Sequence, residues 1–107
     1  MNYKALTVDQ SHQKTNGTSL QGYINAEFDL LRQLFGNPYE SDGYKTDAEW
    51  AIEFEDGTIA TIYNYKDGHN YLGADGFNTE QITNWHIGGK NKNAFNYIHN
   101  LLTNLEV

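Results

Sequence analysis

The sequence predicts an α+β domain, an antiparallel sheet with a central Asp-Gly hairpin and two helices packed on one face. Three observations carry that prediction. Asp56-Gly57 separates two alternating apolar runs within AEWAIEFEDGTIATIYNY, the strongest short-range mark of a β-hairpin. Helical spacing of apolar residues occurs before Gly36 and again after Asn91. A chain of 107 residues is long enough for one hydrophobic core and too short for two, so residues 1–107 read as a single domain.

The elements follow in chain order. Asn2 to Val8 reads as a short edge strand, and the polar stretch DQSHQKTNGTS as a loop. Leu20 to Asn25 is extended before AEFDLLRQLFG turns helical, with Phe28, Leu31, Leu34 and Phe35 on one face. Asn25 is the expected N-cap, Glu27 and Asp29 suit the first turn, and Gly36 followed by Pro38 stops the helix. In the hairpin, a two-residue Asp56-Gly57 turn pairs Phe54 with Ile59, Ile52 with Thr61 and Trp50 with Tyr63. That register gives one face to Trp50, Ile52, Phe54, Ile59 and Tyr63. The opposite face carries Ala51, Glu53, Ala60 and Ile62, too apolar for plain solvent surface and therefore expected to meet a partner subunit. Residues 67 to 79 are expected as a long irregular loop. Ile82 to Ile87 reads as a third central strand ended by Gly88-Gly89, and Ala94, Phe95, Ile98, Leu101, Leu102 and Leu105 stripe the second helix.

Composition narrows the chemistry. The formal charge of −7, from 14 acidic and 7 basic side chains, argues against non-specific grip on a phosphate backbone. With no cysteine there is no disulfide framework, thiolate nucleophile or zinc-thiolate site. No stretch has the apolar length of a signal peptide or a membrane span, so the expected location is the cytosol. Eight tyrosines exceed what a small core needs; they either cover sheet faces as strand formers or line a surface that binds something.

Two segments are candidate ligand sites. Trp85-His86-Ile87-Gly88-Gly89-Lys90 ends a strand in glycines just before a helix, where free amides, Lys90 and Lys92 could hold an anion and His86 could donate to its oxygen. The same glycines also serve as nothing more than a sharp turn. In Asp42-Gly43-Tyr44-Lys45-Thr46, Tyr44 could stack on a ring while Lys45 pairs with an anion, Thr46 adding a hydroxyl; a plain β-turn is the alternative. His12, His69, His86 and His99 have no metal-motif spacing, and no metal or other cofactor is expected. Glu53 and Glu55, read as sharing a strand face, are the one carboxylate pair that could suit a hydrolase, and no nucleophile-elbow motif accompanies them.

The phrases SLQGYINAEFDLLRQLFG, DGYKTDAEW, FEDGTIATIYNYK and WHIGG together resemble a family of small, largely uncharacterised tailed-bacteriophage proteins, over most of the chain from Thr18 onward. The resemblance brings no catalytic residues; residues 67 to 79 form a longer loop than in the shortest such proteins. It implies a non-enzymatic accessory protein that counters host antiviral defence by binding. The first form is a homo-oligomer that sequesters a phosphorylated nucleotide signal, with aromatics on the base and Lys45, Lys90 or the glycine turn on phosphates. The second is a direct inhibitor of a host protein; a small hydrolase using His86 and a carboxylate is the alternative from a different class.

Overall fold

The computed structural model describes residues 2–7, 10–11, 14–39, 47–65 and 67–105. Five strands form one antiparallel sheet: β1 (Tyr3–Ala5), β2 (Ser19–Asn25), β3 (Glu49–Phe54), β4 (Ile59–Tyr63) and β5 (Asn84–Gly89). Their order across the sheet is β1-β3-β4-β5-β2. Helix α1 (Phe28–Phe35) follows β2, a one-turn helix α2 (His69–Leu72) lies between β4 and β5, and α3 (Asn93–Leu105) ends the described chain. The Asp-Gly hairpin thus sits at the centre of the sheet, and α1 and α3 cover the same face.

Burial of aromatic and aliphatic side chains holds that face together. Trp50 and Trp85 are both enclosed and meet edge to face at 5.3 Å, with Phe28 of α1 against each of them. Such ring pairs add about 0.5–1.5 kcal/mol beyond their buried area. A buried indole must also satisfy its N–H, and here the two do so at opposite ends of one helix. Trp85 Nε1 donates to the Ala26 carbonyl at 2.9 Å and Trp50 Nε1 to the Gly36 carbonyl at 2.8 Å. The sheet therefore grips α1 just before its first turn and just after its last. Helix α3 contributes Ala94, Ile98 and Leu102 to the same core, and its Phe95 ring lies so close over β2 that only glycine fits at position 22.

The hairpin register departs from the sequence expectation by one residue. Trp50 pairs with Ile62, Ile52 with Ala60 and Glu53 with Ile59. The turn is a three-residue one: Gly57 N–H donates to the Phe54 carbonyl, Phe54 N–H to the Thr58 carbonyl, and Gly57 adopts φ 90°. A three-residue loop ending on a glycine of positive φ is the next most common hairpin form after the two-residue one. A slip of one residue exchanges the faces of a strand. Ala60 and Ile62 consequently join the core under the helices, both fully buried, while Ile59, Thr61 and Tyr63 turn to the outer face. The residues Ala51, Glu53, Ala60 and Ile62 do not share a surface. Glu55 belongs to the turn rather than to a face shared with Glu53, its N–H donating to the Asn2 carbonyl.

Two further expectations are adjusted. Glu27, not Asn25, precedes the first helical residue, and it caps without its side chain, its carbonyl accepting from Leu30 and Leu31. Asn25 is instead the last residue of β2, paired with Asn84. The expected stop at Gly36 is present: φ is 82° and its N–H reaches the Arg32 carbonyl. The segment after β4 is not irregular throughout. It folds on itself through α2 and two 3₁₀ turns, Gly73–Asp75 and Thr79–Gln81, and closes where Phe77 N–H meets the Asp67 carbonyl. Asn64, fully buried, anchors it: its Oδ1 accepts from the Asp47 and Ala48 amides and its Nδ2 donates to the Asp47 and Asp67 carboxylates.

Candidate binding surface

The outer face of the sheet divides into two halves. Over β1, β3 and β4 the N-terminal segment lies across it: Leu6 is buried with Ala51 and Ile59, and Tyr39 packs against them. Polar ties fasten this cover. Lys14 Nζ reaches Glu53 at 2.9 Å, Lys4 Nζ reaches the same carboxylate at 3.4 Å, and the Tyr39 hydroxyl bonds Ser11 Oγ while donating to Glu49 Oε2 at 3.0 Å. Partial burial and the Glu49 carboxylate push the Tyr39 phenol up to about 12, the Ser11 hydrogen bond opposing them in part. Hydrogen bonds from both lysines hold the Glu53 carboxyl below its ordinary value against the opposing cost of desolvation, Lys14 contributing most.

Over β4, β5 and β2 the face carries a cluster of rings. His86 on β5 is the hub, with Tyr23 edge-on at 4.8 Å, Tyr63 at 5.4 Å and Tyr65 at 5.5 Å. Register explains the convergence: Tyr23 and Tyr63 each lie directly opposite His86 on the two neighbouring strands. Gly88, two residues on along the same face, keeps the floor low, since a Cβ there would come within 2.4 Å of Thr61 Oγ1. Tyr23 is 57% exposed and Tyr65 41%, so two of the three tyrosines present a large part of their surface to solvent.

Electrostatics give the cluster a sign. Burial lowers the His86 imidazole below its ordinary value of 6.5, Asp67 opposing the shift, so the ring is neutral at physiological pH. The Tyr63 phenol is raised above its ordinary value of 10.0, first by burial and then by Glu49 and the neighbouring tyrosines. Carboxylates at Glu49 and Asp67 therefore rim a group of uncharged rings. Such a surface attracts cations and planar groups, and a guanidinium satisfies both conditions at once.

The residues singled out from the sequence separate under the structure. His86 is the centre of the cluster. Trp85 is fully buried and points to the helices. Gly88 and Gly89 pair on both sides, with β2 and with β4, so their backbone is committed to the sheet rather than held open for an anion. The start of α3 is capped from within, Asn91 Oδ1 accepting from the Asn93 amide. Lys92 donates to the Gln21 carbonyl at 2.7 Å and lies over the Phe95 ring, and Lys90 is exposed. Tyr44, Lys45 and Thr46 lie outside the described residues. Among the described residues no group of three or more His, Cys, Asp or Glu side chains is placed to hold a metal ion, and no helix is long and apolar enough to cross a membrane.

Tyr23, Tyr63 and Tyr65 were not picked out by sequence reasoning. The excess of tyrosine was the available signal, and only the β2–β5 pairing shows which of them meet. Fold and surface together describe a small α+β domain with a tyrosine-lined outer sheet face. No protein-family model, curated protein or solved structure matches the chain.

Proposed function

We propose that this chain is a non-catalytic binding protein that docks the surface of a partner protein on the Tyr23, Tyr63, Tyr65 and His86 cluster. The observation that carries the reading is the exposure of Tyr23 and Tyr65 beside half-buried Tyr63 and His86, on a face whose other half is covered, among the described residues, by the N-terminal segment. Tyrosines are enriched at interface centres because they offer large contact area at low entropic cost. The rim of Glu49 and Asp67 selects a partner that presents arginine. Joined to the resemblance to small tailed-phage proteins, the partner class is a host antiviral defence protein.

A phosphorylated nucleotide is the second reading, since the same rings offer faces on which a base could stack. It has less support, because the strand-end glycines are paired, Lys92 is engaged and the cluster is rimmed by carboxylates. Pull-down from host extract with the wild-type chain and with the Tyr23→Ser/Tyr65→Ser variant separates these readings. The expected result is one stoichiometric protein partner retained by the wild type and lost by the variant. Retention unchanged in the variant, or a melting temperature raised by a panel of cyclic and linear nucleotides with no protein retained, would overturn the proposal.

A further inference from the structure

One wall of the molecule is built on a strand and a helix whose own residues carry no formal charge. The seven residues of β2, SLQGYIN, and the thirteen of α3, NAFNYIHNLLTNL, include no Asp, Glu, Lys or Arg, although charged residues make up 20% of a chain whose net charge is −7. Among the described residues β2 is an edge strand, bonded to β5 on one side only. Beside it, Tyr23, Ile24, Asn25, His99, Leu102 and Thr103 line a shallow hollow of about 310 Å³ between the strand edge and α3. Natural sheet edges are normally blunted by charges, prolines or bulges. The strand's own residues include neither charge nor proline. Its irregularity falls between Leu20 and Gly22, where Lys92 also occupies the Gln21 carbonyl, and leaves Gly22 to Asn25 regular. The opposite edge, β1, is three residues long and carries Lys4.

We propose that a second copy of this chain pairs along β2, antiparallel and twofold about Tyr23, to give a continuous ten-stranded sheet across the dimer. Two copies of an acidic protein repel each other over most approaches, and the β2–α3 wall brings no like charges together. The register about Tyr23 is self-complementary. It sets Tyr23 against its mate on the outer face and Ile24 against the partner's Gly22 on the helix face, where the Phe95 ring closes over the glycine. Paired aromatic residues and an aliphatic residue filling the space beside a glycine are favourable cross-strand neighbours. The exposed His99 and Thr103 flank this seam on α3. In such a dimer the two tyrosine clusters lie on the same side of one sheet, so a partner protein would meet both together.

Sedimentation equilibrium and native mass spectrometry of the full chain at tens of micromolar test this. The expected mass is that of a dimer, reduced to a monomer by Asn25→Glu/Thr103→Glu and unchanged by Gln33→Glu on the exposed side of α1. The absence of cysteine allows a second, independent reading: Tyr23→Cys should form an intermolecular disulfide under mild oxidation, since directly opposed antiparallel residues have Cα atoms about 4.5–5.5 Å apart, within disulfide reach, whereas Gln33→Cys should not. A monomer at these concentrations, a dimer indifferent to the double substitution, or equal cross-linking of the two cysteine variants would overturn the proposal. None of these outcomes depends on whether a host protein is captured, so the dimer and the docking surface can fail separately.

Discussion

The two halves of the outer sheet face have the same backbone and opposite fates. Over β3 the sheet is covered by Leu6, Tyr39 and the Ser11–Tyr39–Glu49 hydrogen bonds, while over β5 and β2 the Tyr23 and Tyr65 rings are exposed beside half-buried Tyr63 and His86. Among the described residues, the N-terminal segment closes the apolar face over β1, β3 and β4. The exposed rings of Tyr23 and Tyr65 lie on the half that this described cover does not reach. Side chains in the covered half should govern stability, and those in the bare half should govern recognition.

The substitution expected to have the largest effect lies at the border between the halves. Asn64→Ala leaves the Asp47 and Ala48 amides without their shared acceptor and releases Asp67 from beside the cluster. An unsatisfied buried group costs about 1–3 kcal/mol, so urea unfolding should show a loss of about 2–4 kcal/mol. A loss below about 1 kcal/mol would mean that water reaches those amides. Next comes the direct contrast. Leu6→Ala in the covered half should cost about 2–3 kcal/mol and leave partner capture intact, whereas Tyr65→Ala should shift stability by no more than about 0.5 kcal/mol and weaken capture. If the two variants behave alike in either measurement, the division of labour between the halves is wrong.

Titration sharpens the same contrast. Tyr39 has a folded value raised to about 12 from 10.0, so its neutral form is the one the fold favours. Its contribution is complete below pH 10 and is lost as pH rises through about 12. Alkaline unfolding of Tyr39→Phe should therefore be less steep over that interval than in the wild type. His86 is lowered from 6.5, so its contribution is complete above that value and is lost as pH falls through its folded value. In an NMR titration the His86 imidazole should have its midpoint below 6.5, and partner capture should weaken over the same range. A midpoint at or above 6.5 would show that the ring is not shielded as described. The smallest effect belongs to Lys14→Ala, which removes a partly exposed ion pair to Glu53 and should cost about 0.3–1 kcal/mol, diminishing with added salt.

Much of the fold is readable from residues because local signals and global packing agree. The Asp56-Gly57 turn, the Gly36 stop and the stripe from Ala94 to Leu102 each have a local physical cause, and each appears where that cause places it. The hairpin register was not fixed by pattern. In β4 both alternating sets, Ile59 with Tyr63 and Ala60 with Ile62, are apolar enough to face a core, and the turn length decided between them. The tyrosine cluster was less legible still. Its four rings come from β2, from the end of β4 and just after it, and from β5, and no spacing rule relates Tyr23 to His86 before the strands are paired. Asn25 shows the converse error, a good capping residue retained by a strand because Asn84 lies opposite it.

The pairing of Ser19 with Gly89 also sets the order of events during synthesis. At about 5–20 residues per second, β2 leaves the ribosome several seconds before the strand that will hold it. A contact so distant in sequence is slow to form even in the complete chain. The β3–β4 hairpin, whose pairing is local, should therefore form first, with the uncharged SLQGYIN segment waiting as an unpaired strand. Its docking onto β5 would then be the last and slowest phase of refolding, and the step most sensitive to protein concentration.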